Sequence, residues 1–310
     1  MKKEEFSFLS YDKETQIHGV KWMPDTGLKA IIMVVHGVTE HILRYENFAK
    51  YFVSKGIGVV GIDLLGHGKS ISVNKKSMYF GPIGSWNFVL EDLKTCRNMI
   101  NEEFGDISCY ILGFSLGSFL TRNYVINYNN DFDGVILLGT GQNAKIELLL
   151  AKMIANKEAK KFGEDNSSAM IRKLTFDTYN SKFKPNRTKY DWLCSSEKSI
   201  DEYMADSLRG GDLSSGLFRE MLTGMDFVAQ DENVLKMNKD VPVLLLSGDR
   251  DAVGANGKGV TKVYNSFKKN GIKDVEMKLY PDLRHDILHE DVCESIYEDI
   301  LIWLDKHFKK

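Results

Sequence analysis

The sequence predicts an α/β fold in which a doubly wound, mostly parallel β-sheet is interrupted by a helical segment before its last strands. Short apolar runs alternate with segments of helical periodicity, which is typical of repeated β-α units. The alternation lapses between about residues 142 and 238, where helical patterns and loops occur without a clear strand, and then resumes. We therefore predict a core formed by residues 1–141 and 239–310 and a helical cap formed by residues 142–238.

The core elements follow in order along the chain. A hairpin is predicted over 4–10 and 15–23, because Asp12 and Lys13 supply a turn between two half-apolar strands. The apolar runs that follow suit strands buried on both faces of a sheet, over 30–35, 57–63, 109–112, 135–139 and 241–247. A further strand is predicted over 275–280. Helical spacing of apolar residues predicts helices over about 42–53, 86–104, 116–128, 258–270 and 291–308.

Composition excludes several classes of protein. The 310 residues carry a net charge of −2, so there is no overall positive charge to indicate a nucleic-acid partner. The four cysteines have no metal-type spacing, and they predict buried thiols in a reducing compartment. Neither a signal-like start nor a run of about 18 apolar residues is evident. We therefore expect a cytoplasmic protein with no metal and no cofactor.

A candidate nucleophile lies in the segment Gly113-Phe114-Ser115-Leu116-Gly117, which fits the G-x-S-x-G nucleophile elbow. It follows a predicted strand and opens a predicted helix, whose N-terminal amides and dipole favour a developing negative charge. Side chains at the two glycines would collide with the neighbouring strand and helix. Ser115 is thus expected to project from a strained turn, although the same pattern also describes a serine in a plain glycine-rich turn.

Two backbone donors are needed to stabilise an oxyanion beside that serine. The N–H of Leu116, directly after the nucleophile, is one candidate. The loop after an earlier strand should supply the other, and the segment His36-Gly37-Val38 ends such a strand. We predict the Val38 N–H as the second donor.

A serine hydroxyl also needs a general base and an acid that orients this base. In hydrolases with a G-x-S-x-G elbow, the nucleophile, the acid and the histidine base follow in this order along the chain. Of the seven histidines, His285 lies in the loop after the last predicted strand, where the base is expected. The loop after the strand ending at Ser247 offers two carboxylates, Asp249 and Asp251. One is expected to be the acid and the other a turn residue.

Taken together, these motifs resemble the monoglyceride lipase and lysophospholipase branch of the α/β-hydrolases. The resemblance rests on five segments that span nearly the whole chain. They are H-G-x-x-E-H-x-x-R-Y at 36–45, D-x-x-G-H-G-x-S at 63–70, the elbow at 113–117, G-x-x-D at 248–251 and H-x-x-L-x-E at 285–290. It implies an α/β-hydrolase fold and a triad of Ser115, Asp251 and His285. It also implies that His41 and His67 are structural residues near the pocket.

The resemblance and the predicted cap together indicate where substrate binds. The family usually has His before the nucleophile and Gly after the elbow, whereas this chain has Phe114 and Ser118. Phe114 is expected to lie on the pocket floor. An apolar stripe near the start of the cap includes Leu149 and Met153, which are expected to line an acyl-chain pocket. The same stripe is also consistent with a helix packed on its own core, or with transient contact between the cap and a membrane surface.

The function predicted from these residues is that of a serine carboxylic-ester hydrolase. Its expected partner is a small-molecule monoacyl ester with an apolar acyl group, of the monoacylglycerol or lysophospholipid type, cleaved through an acyl-enzyme on Ser115. A short-chain or cinnamoyl-type esterase and an aminopeptidase are alternatives on the same fold, the latter needing a buried carboxylate in the cap. A non-catalytic ligand-binding protein on this scaffold is a further alternative, and such proteins often lack a triad member.

Overall fold

An eight-stranded β-sheet runs through the protein with the strand order β1-β2-β4-β3-β5-β6-β7-β8. The computed structural model describes residues 1–308. The strands are β1 (Lys2–Leu9), β2 (Gln16–Met23), β3 (Ala30–Val35), β4 (Ile57–Ile62), β5 (Ser108–Phe114), β6 (Gly134–Leu138), β7 (Val243–Gly248) and β8 (Val275–Tyr280). β1 with β2 and β2 with β4 pair antiparallel, whereas all other neighbours pair parallel. The predicted mostly parallel sheet is confirmed.

The central strands are buried because both faces of the sheet are covered. β3 shows this directly: Ile31, Met33 and Val35 join one apolar cluster, and Ile32 and Val34 join another on the opposite face. Side chains alternate between the faces of a strand, so a strand covered on both sides needs an unbroken apolar sequence. This is the physical reason why these apolar runs locate the strands so well.

Helices cover the sheet and fill the segment between β6 and β7. They are α1 (Glu46–Ser54), α2 (Trp86–Phe104), α3 (Leu116–Asn127), α4 (Lys145–Phe162), α5 (Ala169–Arg172), α6 (Thr178–Asn180), α7 (Glu197–Ala205), α8 (Ser215–Ala229), α9 (Asp231–Val234), α10 (Lys258–Lys269) and α11 (Cys293–His307). The predicted helix over 42–53 is divided, because a short 3₁₀ turn, Ile42–Tyr45, precedes α1. Among residues 1–308, no helix has the length and apolar character required to cross a bilayer.

Residues 142–238, called the insert below, contain helices α4 to α9. A single isolated bridge, between Ser167 and Ser214, is the β-structure found in this segment. α8 packs against α4 within the insert and against α3 of the remaining chain. A small apolar cluster that includes Trp192, Ile200 and Tyr203 belongs to the insert itself. We propose on this basis that the insert is a cap over the sheet.

Candidate active site

Ser115 occupies a strained turn between β5 and α3. Its φ is +51°, in the left-handed region that side chains disfavour. A Cβ atom at Gly113 would lie 2.3 Å from Oγ1 of Thr121, and one at Gly117 would lie 2.0 Å from the carbonyl oxygen of Val35. Both positions therefore require glycine, as expected from the sequence. The tight turn leaves the Ser115 hydroxyl facing a cavity rather than the sheet.

The imidazole of His285 lies within hydrogen-bond distance of that hydroxyl. Its Nε2 is 2.8 Å from Oγ of Ser115, and its side chain is 1% exposed. The ring contacts the rings of Phe114 and Trp192, whose centroids are 5.0 and 5.4 Å away. These two ring contacts restrict the orientation of the imidazole. Phe114 thus contacts the ring of His285 and is not among the residues that line the cavity, so its predicted place on the pocket floor stays a prediction.

Asp251 lies on the other side of the imidazole. Its Oδ1 is 2.9 Å from Nδ1 of His285, at an angle less favourable than that of a linear hydrogen bond. The carboxylate is fully buried and accepts a hydrogen bond from the N–H of Val253 at 2.8 Å. Asp249 instead accepts the backbone N–H of Asp282 at 2.8 Å. The structure thus brings Asp251, and not Asp249, to the histidine.

The two predicted oxyanion donors lie beside the serine. Val38 and Leu116 both line the cavity together with Ser115. Leu116 is the first residue of α3, where backbone N–H groups lack partners within the helix. The loop that carries Val38 is fixed by the carboxylate of Glu40, which accepts the Gly37 N–H at 2.5 Å. Both residues therefore border the cavity beside Ser115, and their role as oxyanion donors stays a prediction.

Three buried histidines, His36, His41 and His67, lie in or near the same loop without forming a hydrogen bond to the serine. Nε2 of His36 accepts the Leu64 N–H at 2.9 Å, and burial lowers the pKa of His36 to about 4. Burial also lowers the pKa of His67 to about 3. Both rings are therefore neutral at pH 7. His41 bonds to Asp206 of the insert at 2.6 Å, and none of the three histidines is hydrogen-bonded to Ser115.

A buried ion-pair network behind this loop was not assigned a role from the sequence. Arg44 donates from Nε to Glu40 at 3.0 Å and from Nη2 to Asp286 at 3.1 Å. Desolvation opposes charge on Arg44, yet the carboxylates of Asp286 and Glu40 outweigh it and raise its pKa. Two signals were available in the sequence: Glu40 and Arg44 are fixed positions of the motif at 36–45, and they have i, i+4 spacing. Both signals identify a pair of residues but not its place in the fold.

The cavity at Ser115 has a volume of about 510 Å³ and lies between the sheet end and the insert. This falls within the usual range for a small-molecule site. Most of its wall is apolar, contributed by Val38, Leu116, Phe119, Leu148, Leu150, Ala151, Ile154, Leu174, Phe176, Leu213, Phe218, Met221, Leu222, Met225 and Val253. Polar groups are provided by Ser115, Asn143, Glu147, Thr175, Tyr179 and Trp192.

The predicted pocket residues Leu149 and Met153 lie outside this cavity. Their side chains are 54% and 61% exposed, whereas Ala151 and Ile154 of the same helix line the wall. The assignment was wrong because α4 is apolar on more than one side, and periodicity alone does not say which side faces the serine. Tyr179 and Trp192, which do line the cavity, were missed because nothing in their spacing indicates it.

The chain has a strained serine at a strand–helix turn, a histidine within hydrogen-bond distance of its hydroxyl, and a buried aspartate on the other side of the histidine. This arrangement on a mostly parallel sheet defines the chain as an α/β-hydrolase. A family profile described as serine aminopeptidase, S33 matches residues 26–292. The chain belongs to this family.

The relatives found by comparison match over most of this chain and most of their own length. A monoacylglycerol lipase of Mycolicibacterium smegmatis is 23% identical over 92% of this chain and 91% of its own. The monoglyceride lipase of Homo sapiens is 22% identical over 92% of this chain and 85% of its own. A thermostable carboxyl esterase from Bacillus coagulans, solved in complex with glycerol, superimposes with a TM-score of 0.92 at 23% identity, covering 100% of both chains. The predicted α/β-hydrolase fold is confirmed.

Proposed function

We propose that this serine ester hydrolase cleaves monoacyl esters with an apolar acyl group, of the monoacylglycerol or lysophospholipid type, through an acyl-enzyme on Ser115. The observation that carries the proposal is the position of the Ser115 hydroxyl, 2.8 Å from His285 and open to a cavity of about 510 Å³ with mostly apolar walls. The monoacylglycerol lipases among the relatives support the same substrate class.

The proposed reaction begins when Oγ of Ser115 attacks the ester carbonyl carbon and its proton passes to Nε2 of His285. The carbonyl oxygen becomes an oxyanion, which accepts hydrogen bonds from the N–H groups of Val38 and Leu116. As the carbonyl re-forms, the bond to the alcohol breaks, and His285 returns the proton to the departing oxygen. Water then attacks the acyl-enzyme with His285 again as base, which releases the fatty acid and restores Ser115.

Burial of Asp251 is what makes this base effective in the proposed reaction. A carboxylate 2.9 Å from Nδ1 holds the proton on that nitrogen and leaves Nε2 free to accept one from Ser115. It also stabilises the imidazolium that forms. Because His285 and Asp251 are 1% and 0% exposed, water screens their attraction only weakly.

The cavity wall favours an apolar acyl group over a charged amine. An aminopeptidase needs a buried carboxylate to hold the substrate amine. Within residues 1–308, Glu147 is the one carboxylate of the cavity lining. Its side chain is exposed and accepts the Ala144 N–H at the start of α4. A group already bonded and open to water is a weak anchor for an amine, so we propose ester rather than peptide substrates.

Filling the cavity should select against long acyl chains. Ala151 is partly buried on the face of α4 that lines the wall. We expect Ala151→Phe to lower kcat/KM for p-nitrophenyl laurate about tenfold or more relative to p-nitrophenyl acetate, because overpacking costs roughly 1–3 kcal/mol and an acetyl group does not reach the added ring. The measurement is kcat/KM for p-nitrophenyl esters of graded chain length.

Met153→Phe is the matched control, since Met153 lies on the same helix, 61% exposed and outside the cavity. It should leave the chain-length profile unchanged. An Ala151→Phe enzyme that loses the same factor on acetate and laurate would contradict the acyl assignment. A parallel panel of monoacylglycerols and lysophospholipids identifies the head group, and uniformly faster cleavage of short-chain or cinnamoyl esters would favour those esterase alternatives.

We also propose transient contact between the insert and a membrane or micelle surface. Ile146, Leu149, Leu150 and Met153 of α4 are each more than half exposed. Leu150 also lines the cavity, so the exposed patch adjoins the cavity mouth. A contiguous apolar patch beside a lipid-binding cavity is the kind of surface that enters a bilayer interface.

Charge on this patch should weaken contact with lipid. We expect Met153→Asp to reduce co-sedimentation with phosphatidylcholine vesicles severalfold while hydrolysis of p-nitrophenyl butyrate in solution stays unchanged. Ile302→Asp is the control, because Ile302 is 51% exposed on the closing helix α11. Equal vesicle binding by both variants and the unmodified protein would remove the membrane part of the proposal.

A cytoplasmic location is the remaining part of the proposal. Cys96 and Cys194 are buried thiols, and burial raises the pKa of both well above the ordinary value. Unreactive buried thiols of this kind are usual in a reducing compartment. Fractionation of the cells that produce the protein would test this.

A further inference from the structure

A tyrosine of the insert reaches the loop that carries the proposed oxyanion donor. The hydroxyl of Tyr203, on α7, donates to the carbonyl oxygen of Thr39 at 3.1 Å. The same phenol oxygen lies 2.7 Å from Oγ1 of Thr39. Because the phenol proton is already donated to the carbonyl oxygen, the threonine hydroxyl donates the second hydrogen bond. These two hydrogen bonds join residues that are 164 positions apart in the chain.

Thr39 needs such external support because its backbone is strained. Its φ is +61°, which a β-branched residue rarely adopts. The residue directly before it is Val38, whose N–H we propose as an oxyanion donor. On the core side, the Glu40 carboxylate holds the Gly37 N–H at 2.5 Å. Val38 thus lies between two fixed neighbours: Gly37, which is held by the core, and Thr39, which is held by the insert.

Tyr203 is itself held rigidly in a protonated form. Its side chain is 3% exposed, and burial raises its pKa to about 12. The guanidinium groups of Arg44 and Arg209 lie 4.9 and 5.2 Å from the ring centroid. Three residues on, Asp206 bonds to His41 at 2.6 Å, so a second tie joins the same part of the insert to the core. The phenol is therefore a fixed donor.

We infer that Tyr203 is a positioning residue for catalysis: through Thr39 it aligns the Val38 N–H, so that the oxyanion site is complete only when the insert is seated on the core. The inference rests on the proposed function, since it takes Val38 as an oxyanion donor. It assigns the insert a part in the chemical step in addition to its part in forming the acyl cavity.

The test is the variant Tyr203→Phe, which keeps the ring and removes both hydrogen bonds. Loss of a whole oxyanion donor costs about 10²–10³ in kcat, and a misaligned donor should cost part of this. We expect kcat for p-nitrophenyl butyrate to fall about 10- to 100-fold with KM within about twofold. The inhibition constant of an alkyl trifluoromethyl ketone, whose hemiketal oxyanion occupies the same site, should rise by the same factor as kcat falls.

Tyr190→Phe is the matched control, because Tyr190 packs edge-on against the Tyr203 ring at 5.1 Å and takes no part in the bonds to Thr39. It should leave kcat unchanged. Thr39→Ser should retain most activity. Thr39→Val removes the contact with Oγ1 but keeps the hydrogen bond to the carbonyl oxygen of residue 39, so it should lose less than Tyr203→Phe, and the double variant should lose no more than Tyr203→Phe alone.

A Tyr203→Phe enzyme with a lower melting temperature but unchanged kcat and unchanged ketone affinity would overturn the inference and leave Tyr203 a purely structural residue. Failure of the proposed function has a different signature, because Ser115→Ala would then retain activity in every one of these backgrounds. A ketone that binds the unmodified protein no better than its alcohol would likewise count against the oxyanion site as a whole.

Discussion

Replacement of Ser115 by alanine is expected to lower kcat for ester hydrolysis by ~10⁴-fold or more, equivalent to about 5.4 kcal/mol of transition-state stabilisation. The reason is chemical: the variant retains the cavity and both oxyanion donors but has no hydroxyl to form the acyl-enzyme. Folding should survive, because the hydroxyl faces the cavity and alanine keeps the same Cβ in the same backbone conformation. The measurement is kcat for p-nitrophenyl butyrate, alongside the melting temperature.

Ser118→Ala is the matched control for this experiment. Ser118 lies one helical turn further along α3, where its hydroxyl donates to the Ser115 carbonyl at 2.6 Å. Its loss removes one local hydrogen bond worth about 1 kcal/mol, so activity should fall less than about tenfold. A fluorophosphonate should label the unmodified protein and Ser118→Ala but not Ser115→Ala. Absence of labelling in the unmodified protein would favour a non-catalytic binding protein, and a Ser115→Ala enzyme with a tenth of full activity would exclude Ser115 as the nucleophile.

The sequence was most informative where the covalent geometry of the chain leaves few options. Gly113 and Gly117 could be explained in advance, because a turn that tight admits no side chain against Val35 and Thr121. Central strands were equally clear, since a strand covered on both faces must be apolar throughout. Each of these features leaves its mark on a short stretch of sequence, as glycines in a fixed pattern or as an apolar run, so a local pattern is enough to predict it.

Features that depend on how the insert is seated could not be predicted in this way. Leu149 and Ala151 are two residues apart on α4, yet one is 54% exposed and the other lines the cavity. The contact of Trp192 with His285, at 5.4 Å between ring centroids, joins segments 93 residues apart that no spacing relates. The tie between Tyr203 and Thr39 is of the same kind. Such contacts arise from tertiary packing, which a hydrophobic pattern restricts without determining.

The choice between the two carboxylates after β7 gives the second large expected effect. Asp251 is buried with Oδ1 2.9 Å from Nδ1 of His285, whereas Asp249 holds the Asp282 N–H at 2.8 Å. Asp251→Asn should therefore keep the fold but leave His285 in the wrong tautomer, with a loss in kcat of up to ~10⁴-fold. Asp249→Asn should cost ~10-fold or less, because an amide oxygen still accepts the Asp282 N–H and one such bond is worth about 1 kcal/mol. Both are measured as kcat for p-nitrophenyl butyrate on purified variants with matched melting temperatures. If Asp249→Asn lost more than Asp251→Asn, the acid of the triad would have to be reassigned to Asp249, and if both lost less than tenfold, His285 would act without a carboxylate partner.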